Sequence, residues 1–161
     1  ICNSACLINF PHLSFDWVRS GIAAYGGESK NLNLKTAMTF RAPIISIRKI
    51  RKGERVGYGG RKKASKDMRI AIVYAGYADG IPQTTIDGTK VLVNDKQAVI
   101  FGRVSMDLVS IDITNLPQVS ENDLVSFWCE ELPINEFSNN NGLISYELMT
   151  RISNRVKVKV I

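Results

Sequence analysis

From Thr36 onward apolar and polar residues mostly alternate, the period of a strand with one face in a core. In "TAMTFRAPIISI", Met38, Phe40, Ala42 and Ile44 share one face, and Ile45 and Ile47 then continue on the other phase. Pro43 sits at the slip, so a bulge or bend is expected there in a long strand. "MRIAIVYAGY" is a nearly unbroken β-favouring run and reads as a buried strand. "TTIDGTKVLVND" carries a hairpin signal at Asp87–Gly88 leading into alternating Val91 and Val93. "QAVIFGRVSMDLVSIDI" and "DLVSFWC" supply further short strands, with turn signals spaced as in all-β barrels and sandwiches. A helical period closes the chain: Ser145 is the expected N-cap of "YELMTRIS", with Leu148, Met149 and Ile152 apolar, before a final strand "RVKVKVI". "SNNNG" reads as a loop. The N-terminal segment differs. Apolar "ICNSACLINF" is followed by "FDWVRSGIAAYGG", ending at Gly26–Gly27, and then by the polar connector "ESKNLNLK". The pattern predicts a β-rich domain with a short N-terminal appendage.

Composition narrows this. A chain of 161 residues, 45% hydrophobic, suits one domain, or one domain with a remnant of another. No apolar run approaches the roughly 18 residues of a membrane span, and "ICNSACLINF" lacks the pattern of a signal peptide. A cytoplasmic protein with no membrane partner is expected, and Ile1 is read as an interior position of a longer polypeptide. Cys2, Cys6 and Cys129 form no C-x-x-C, so reduced thiols are expected rather than a disulfide framework or a metal site. His12, the only histidine, has no nucleophile motif beside it in "NFPHLSFDW", which favours a surface or capping role.

The net charge of +6 is concentrated in residues 48–69, where ten Lys/Arg face only Glu54 and Asp67. Nucleic-acid modules interleave aromatics with such charge, and this run offers only Tyr58. A solvated face that attracts small anions is the favoured reading, with no nucleic-acid partner. The rival, a small basic β-barrel binding nucleic acid, requires oligonucleotide affinity that falls steeply with salt. Within the run, "VGYGG" sets Tyr58 among glycines. Glycine clears side-chain bulk and opens backbone conformations that other residues avoid, but a turn needs no tyrosine. The ring is either a turn residue packed at a strand end or a chemical group given access.

Four segments taken together resemble alanine racemases in order and spacing. They are "NSACLINFPHLSFDWVRSGIAAYG", "GERVGYGG", "YAGYADGIP" with "VLVNDKQAVIFGRVSMDLVSIDI", and "ISYELMTRISNRV", and they span nearly the whole chain. The resemblance implies a TIM-type barrel carrying pyridoxal phosphate, followed by a β-rich domain. Residues 1–30 are then the last strand and turn of the barrel. Residues 31–161 are the whole second domain, mainly β, barrel- or sandwich-like, with short helices.

The resemblance also implies roles. Tyr58 matches a catalytic tyrosine that enters the partner subunit's active site, so a homodimer with shared sites is expected. A phenol serves as a base only where positive charge or hydrogen bonds favour phenolate, and the basic run points in that direction. Ser4, Gly21 and Ile22 match contacts to the cofactor phosphate, and Tyr146 matches another, expected to come across the dimer. Arg19 matches the residue facing the pyridine nitrogen. As a permanent cation it can only donate, which favours an unprotonated ring and simple proton return over side reactions. Met106, Asp107 and Tyr77 match residues near the substrate. The Schiff-base lysine and a second carboxylate-binding arginine lie outside the matching segments, so this chain alone is expected to be inactive. The implied reaction is interconversion of L- and D-alanine, supplying D-alanine for peptidoglycan, with no metal. Alternatives are a broad-specificity racemase, or a decarboxylase of the same architecture, which needs no opposite-face base.

Overall fold

The structure is a computed structural model describing residues 1–27 and 34–160. It opens with two short parallel strands, β1 (Cys2–Asn3) and, after helix α1 (Ser4–Asn9), β2 (Val18–Arg19). Cys2 pairs with Val18 and Asn3 with Arg19. The Asn3 side chain caps α1 by accepting the Cys6 N–H at 2.9 Å. The appendage therefore contributes two parallel strand ends where one strand and a turn were expected. Both run the same way, so Ser4 and the Ser20–Gly21 turn emerge at the same end. The expected domain boundary at 30/31 and most of the connector lie outside the described residues.

The main body comprises β3 (Phe40–Ile50), β4 (Arg55–Val56), β5 (Lys62–Lys63), β6 (Met68–Val73), β7 (Lys90–Val93), β8 (Lys96–Ile100), β9 (Val109–Asp112) and β10 (Leu124–Trp128). Helices α2 (Ile134–Asn140) and α3 (Ser145–Arg151) follow. Six strands close an antiparallel barrel in the order β10-β3-β6-β9-β8-β7, while β4 and β5 form a separate small hairpin. The alternation seen in sequence is the inward face: Phe40, Ala42, Ile44, Val91, Val93 and Ile111 are all buried. Trp128 of β10 stacks on Phe40 at 4.8 Å and meets Phe137 of α2 edge-on, so α2 closes one part of the core.

Several local expectations change. The bulge lies between Ile44 and Ser46, just past Pro43, and it leaves Ile45 exposed and Ile47 half-buried instead of seating both on a second face. The tight hairpin is Asn94–Asp95, joining β7 to β8, with φ of 48° and 61°. Asp87–Gly88 instead leads into β7, with the Gly88 N–H donating to the Ile100 carbonyl. Part of "SNNNG" is the last turn of α2, which Pro133 starts and Gly142 follows at φ 65°. Ile144 occupies the N-cap of α3. Ser145 is inside the helix and buried, its hydroxyl engaged with Asn135 and Ser138. Leu148 is buried in the barrel core, with Met149 and Ile152 packed against it. No strand forms over 155–160, because a closed barrel has no free edge to extend; Val158 and Val160 stay exposed.

Among the described residues no helix is long and apolar enough to cross a membrane, and no group of three His, Cys, Asp or Glu could hold a metal ion. Cys2, Cys6 and Cys129 are free thiols.

Candidate functional site

The β4–β5 hairpin pairs Arg55 with Lys63 and Val56 with Lys62, and Tyr58 stands at its tip. Gly57, Gly59 and Gly60 have φ of 80°, 68° and 61°, a conformation L side chains rarely adopt. Gly57 is also required by close approach: a Cβ there would lie 2.6 Å from the Arg103 nitrogen. Gly102 answers it from the other side, where a Cβ would lie 3.0 Å from the Val56 carbonyl oxygen. The two backbones therefore touch, and the Tyr58 N–H donates to the Arg103 carbonyl at 3.2 Å. Tyr58 is thus fixed by its main chain while remaining 56% exposed.

Part of the basic run holds this mount in place. Arg55 Nη1 donates to the Gly60 carbonyl at 2.9 Å. The Asp87 carboxylate accepts the Gly102 N–H at 2.6 Å and forms an ion pair with Lys62. A cavity of about 400 Å³ opens between Arg61, Lys62, Gln83, Asp87 and Arg103, with Arg103 donating to Gln83 at 2.6 Å. Its lining sets three cations against one carboxylate, and Lys62 is already paired with Asp87.

Further along the same segment, the Ser105 and Met106 carbonyls accept the N–H groups of Tyr77 and Ala78 at 3.0 and 2.9 Å. Gly76 permits this, since a Cβ there would fall 2.2 Å from the Met106 oxygen. Residues 102–106 thus support Tyr58 at one end and Tyr77 with Met106 at the other. Met106 is 52% and Tyr77 36% exposed. Asp107 does not stand free: its carboxylate accepts Arg155 Nη2 at 2.6 Å, while Arg155 Nε pairs with Asp79 at 2.9 Å. The hydrogen bond to Asp107, with burial opposing it, raises the guanidinium pKa above its ordinary value. Sequence reading missed Arg155 because it lay in the supposed closing strand, 48 residues from Asp107.

A second cluster gathers where β1 and β2 end. Ser4 begins α1, Gly21 follows β2 at φ 44°, and Tyr146 comes from the first turn of α3. The Ile22 N–H donates to the Tyr146 hydroxyl at 2.8 Å, and the Ala23 N–H donates to Ser4 Oγ at 3.2 Å. A Cβ on Gly21 would lie 2.6 Å from the Tyr146 hydroxyl and 3.4 Å from Ser4 Oγ, so the glycine keeps the space between the two hydroxyls open. Each hydroxyl, already accepting one N–H, keeps its own proton to donate. The set suits an oxyanion and fits the phosphate end of pyridoxal phosphate. Tyr146 reaches it from the same chain, because α3 packs back onto the appendage; the expectation that it comes across a dimer is corrected. Arg19 is exposed on β2, two residues before Gly21. The Ala23 N–H was not anticipated.

Among the described residues no hydrogen bond or ion pair joins Tyr58 or Met106 to this cradle. The link is indirect: the end of α3 packs on Gly80, and the Ser153 N–H donates to the Asp79 carbonyl at 3.4 Å. The described residues thus form two clusters, one along residues 102–107 with Tyr58 and Tyr77, the other around Gly21. His12 lies exposed, its ring edge-on to Phe10 at 6.3 Å.

Comparison with known proteins gives a consistent result. Residues 37–160 match the family model for the alanine racemase C-terminal domain. The alanine racemase of Alteromonas mediterranea is 43% identical over 161 residues, covering 97% of this chain and 45% of the relative. The crystal structure of biosynthetic alanine racemase from Pseudomonas aeruginosa matches with a TM-score of 0.92 at 39% identity, covering 96% of this chain and 45% of that one. That of alanine racemase from Bartonella henselae with covalently bound pyridoxal phosphate matches at 0.89 and 29% identity, covering 97% and 45%. The chain spans about half the length of the relatives it matches.

Proposed function

The chain belongs to the alanine racemase C-terminal domain family, and on that premise we propose that it is the C-terminal part of a pyridoxal-phosphate-dependent alanine racemase. The whole enzyme interconverts L- and D-alanine in the cytoplasm as a homodimer, feeding peptidoglycan. The observation that carries this is the mounting of Tyr58: an exposed phenol on a glycine-locked backbone, with no hydrogen bond or ion pair to the phosphate cradle among the described residues. Such a half-site is complete only against a second copy, in twofold symmetric pairing.

Bound pyridoxal phosphate supplies an electron sink that acidifies the Cα–H of an amino acid. This chain's residues do the rest on their side. The Ser4 and Tyr146 hydroxyls would donate to the phosphate, the Ile22 N–H would hold the Tyr146 hydroxyl oxygen so that its proton points away to do so, and Gly21 would leave room for the group. Arg19 would face the pyridine nitrogen and, being permanently charged and able only to donate, would favour its unprotonated form. Tyr58 gives and takes the proton at one face of Cα. The base for the opposite face, a lysine, belongs to the part of the relatives outside the match. Tyr77 and the backbone at Met106 border the substrate, with Asp107 beside them.

In the full-length enzyme, Tyr58→Phe should lower racemisation in both directions by about 10²–10⁴, the usual worth of a positioned acid/base, with the cofactor's absorbance retained. An unchanged rate in either direction defeats the assignment.

A further inference from the structure

We infer that Arg155 is a positioning residue for the substrate-facing platform formed by Tyr77 and Met106, acting as a clamp between Asp79 and Asp107. This rests on the reading of Tyr77 and Met106 as substrate-facing.

The platform is two strips of backbone lying side by side. One is the turn Gly76–Ile81, closed on itself because Asp79 Oδ2 accepts the Gly76 N–H at 2.8 Å and the Gly76 carbonyl accepts the N–H groups of Asp79 and Ile81. The other is Ser105–Asp107, held to the turn by the N–H groups of Tyr77 and Ala78. Each strip carries a carboxylate on the same side, and the Arg155 fork spans both: Nε on Asp79 at 2.9 Å, Nη2 on Asp107 at 2.6 Å. Asp79 is buried. Arg155, half-exposed, sits at its edge.

The planar guanidinium suits this geometry, since two of its donors address two acceptors at a fixed angle. An ammonium can reach one carboxylate well and the other poorly. Without the cation, two carboxylates face each other across the seam, one of them buried, and repulsion pushes the strips apart at Met106 and Tyr77. Tyr58 is anchored elsewhere, on the Arg103 carbonyl and the Gly57–Gly102 contact. Loss of the clamp should therefore disturb substrate placement more than proton transfer. In the full-length enzyme that appears as KM rising while kcat holds.

The test compares Arg155→Ala, Arg155→Lys and Arg155→Ala/Asp107→Asn in the full-length holoenzyme, with Tyr58→Phe as a control. Steady-state kinetics on alanine are paired with amide hydrogen exchange at Tyr77 and Ala78. Arg155→Ala should raise KM about tenfold with kcat within about twofold and should speed exchange at both amides. Arg155→Lys should fall between, and the added Asp107→Asn should slow exchange again by removing one of the opposed charges. The inference is overturned if kcat falls at constant KM, as general loss of folded enzyme would produce, or if exchange and KM do not change. Failure of the racemase reading shows separately, as a Tyr58→Phe enzyme at full speed.

Discussion

The Ile22 N–H donates to the Tyr146 hydroxyl at 2.8 Å, joining residues 124 positions apart and tying the N-terminal appendage to the last helix. That bond and its neighbour from Ala23 to Ser4 turn two strand ends and a helix start into one cradle. Gly21 lies between the two hydroxyls, at a backbone angle and in a space that both exclude a side chain.

Gly21→Ala in the full-length enzyme should therefore weaken pyridoxal phosphate binding by at least about tenfold, because an added methyl would fill the gap and strain the turn. Tyr146→Phe keeps the ring and removes the donor, which should cost about 1 kcal/mol of cofactor affinity. An absorbance titration of the apoenzyme measures both. Binding as tight as wild type in Gly21→Ala would mean that the phosphate sits elsewhere.

The glycines around Tyr58 differ in a way that two substitutions can separate. A Cβ at Gly59 meets nothing within 4 Å, so Gly59→Ala should cost only the left-handed backbone strain, about 1–2 kcal/mol, and leave kcat largely intact. Gly57→Ala adds a collision with the Arg103 backbone and displaces the mount of the phenol. It should lower kcat well below that of Gly59→Ala at equal cofactor occupancy. Thermal denaturation and kinetics on the same preparations check the order.

Cys129 gives the domain a pH dependence on the alkaline side. Burial, reinforced by a hydrogen bond with Glu131, raises its thiol pKa. A raised native pKa favours the protonated thiol, so its stabilisation is complete below the unfolded thiol's value, about 8.5, and is lost as pH rises through the native one. Wild type should lose stability toward Cys129→Ala as pH rises above about 8.5. Denaturant melts across that range, with the two curves compared, make the measurement.

Much of this was legible in the order of residues. Period-two alternation located the barrel strands because one face of each must fill the interior, and Phe40, Ala42, Ile44, Val91 and Val93 do so. "VGYGG" announced an accessible ring, and three left-handed glycines supply the mount. What escaped depends on partners distant in the chain. Whether 155–160 pairs as a strand depends on the barrel having no free edge, which no local pattern reveals. Arg155 acquires its role from Asp79 and Asp107, and Tyr146 reaches its own chain's cradle because α3 folds back. The Asn94–Asp95 turn was overlooked because Asp87–Gly88 carried the stronger dipeptide signal, although its backbone serves a different turn.

The central claim is that Tyr58 of one chain works at the cradle of another, and mixed dimers test it most directly. Full-length Tyr58→Phe subunits, with an intact cradle, are combined with full-length Gly21→Ala subunits, with an intact phenol, under conditions that exchange subunits. Each hybrid dimer then holds one complete site, and at a cofactor concentration that leaves the Gly21→Ala cradle empty, random pairing should restore racemisation to about a quarter of the wild-type rate per subunit. No recovery above the two parent variants, with hybrid formation verified by native mass spectrometry, would contradict the account.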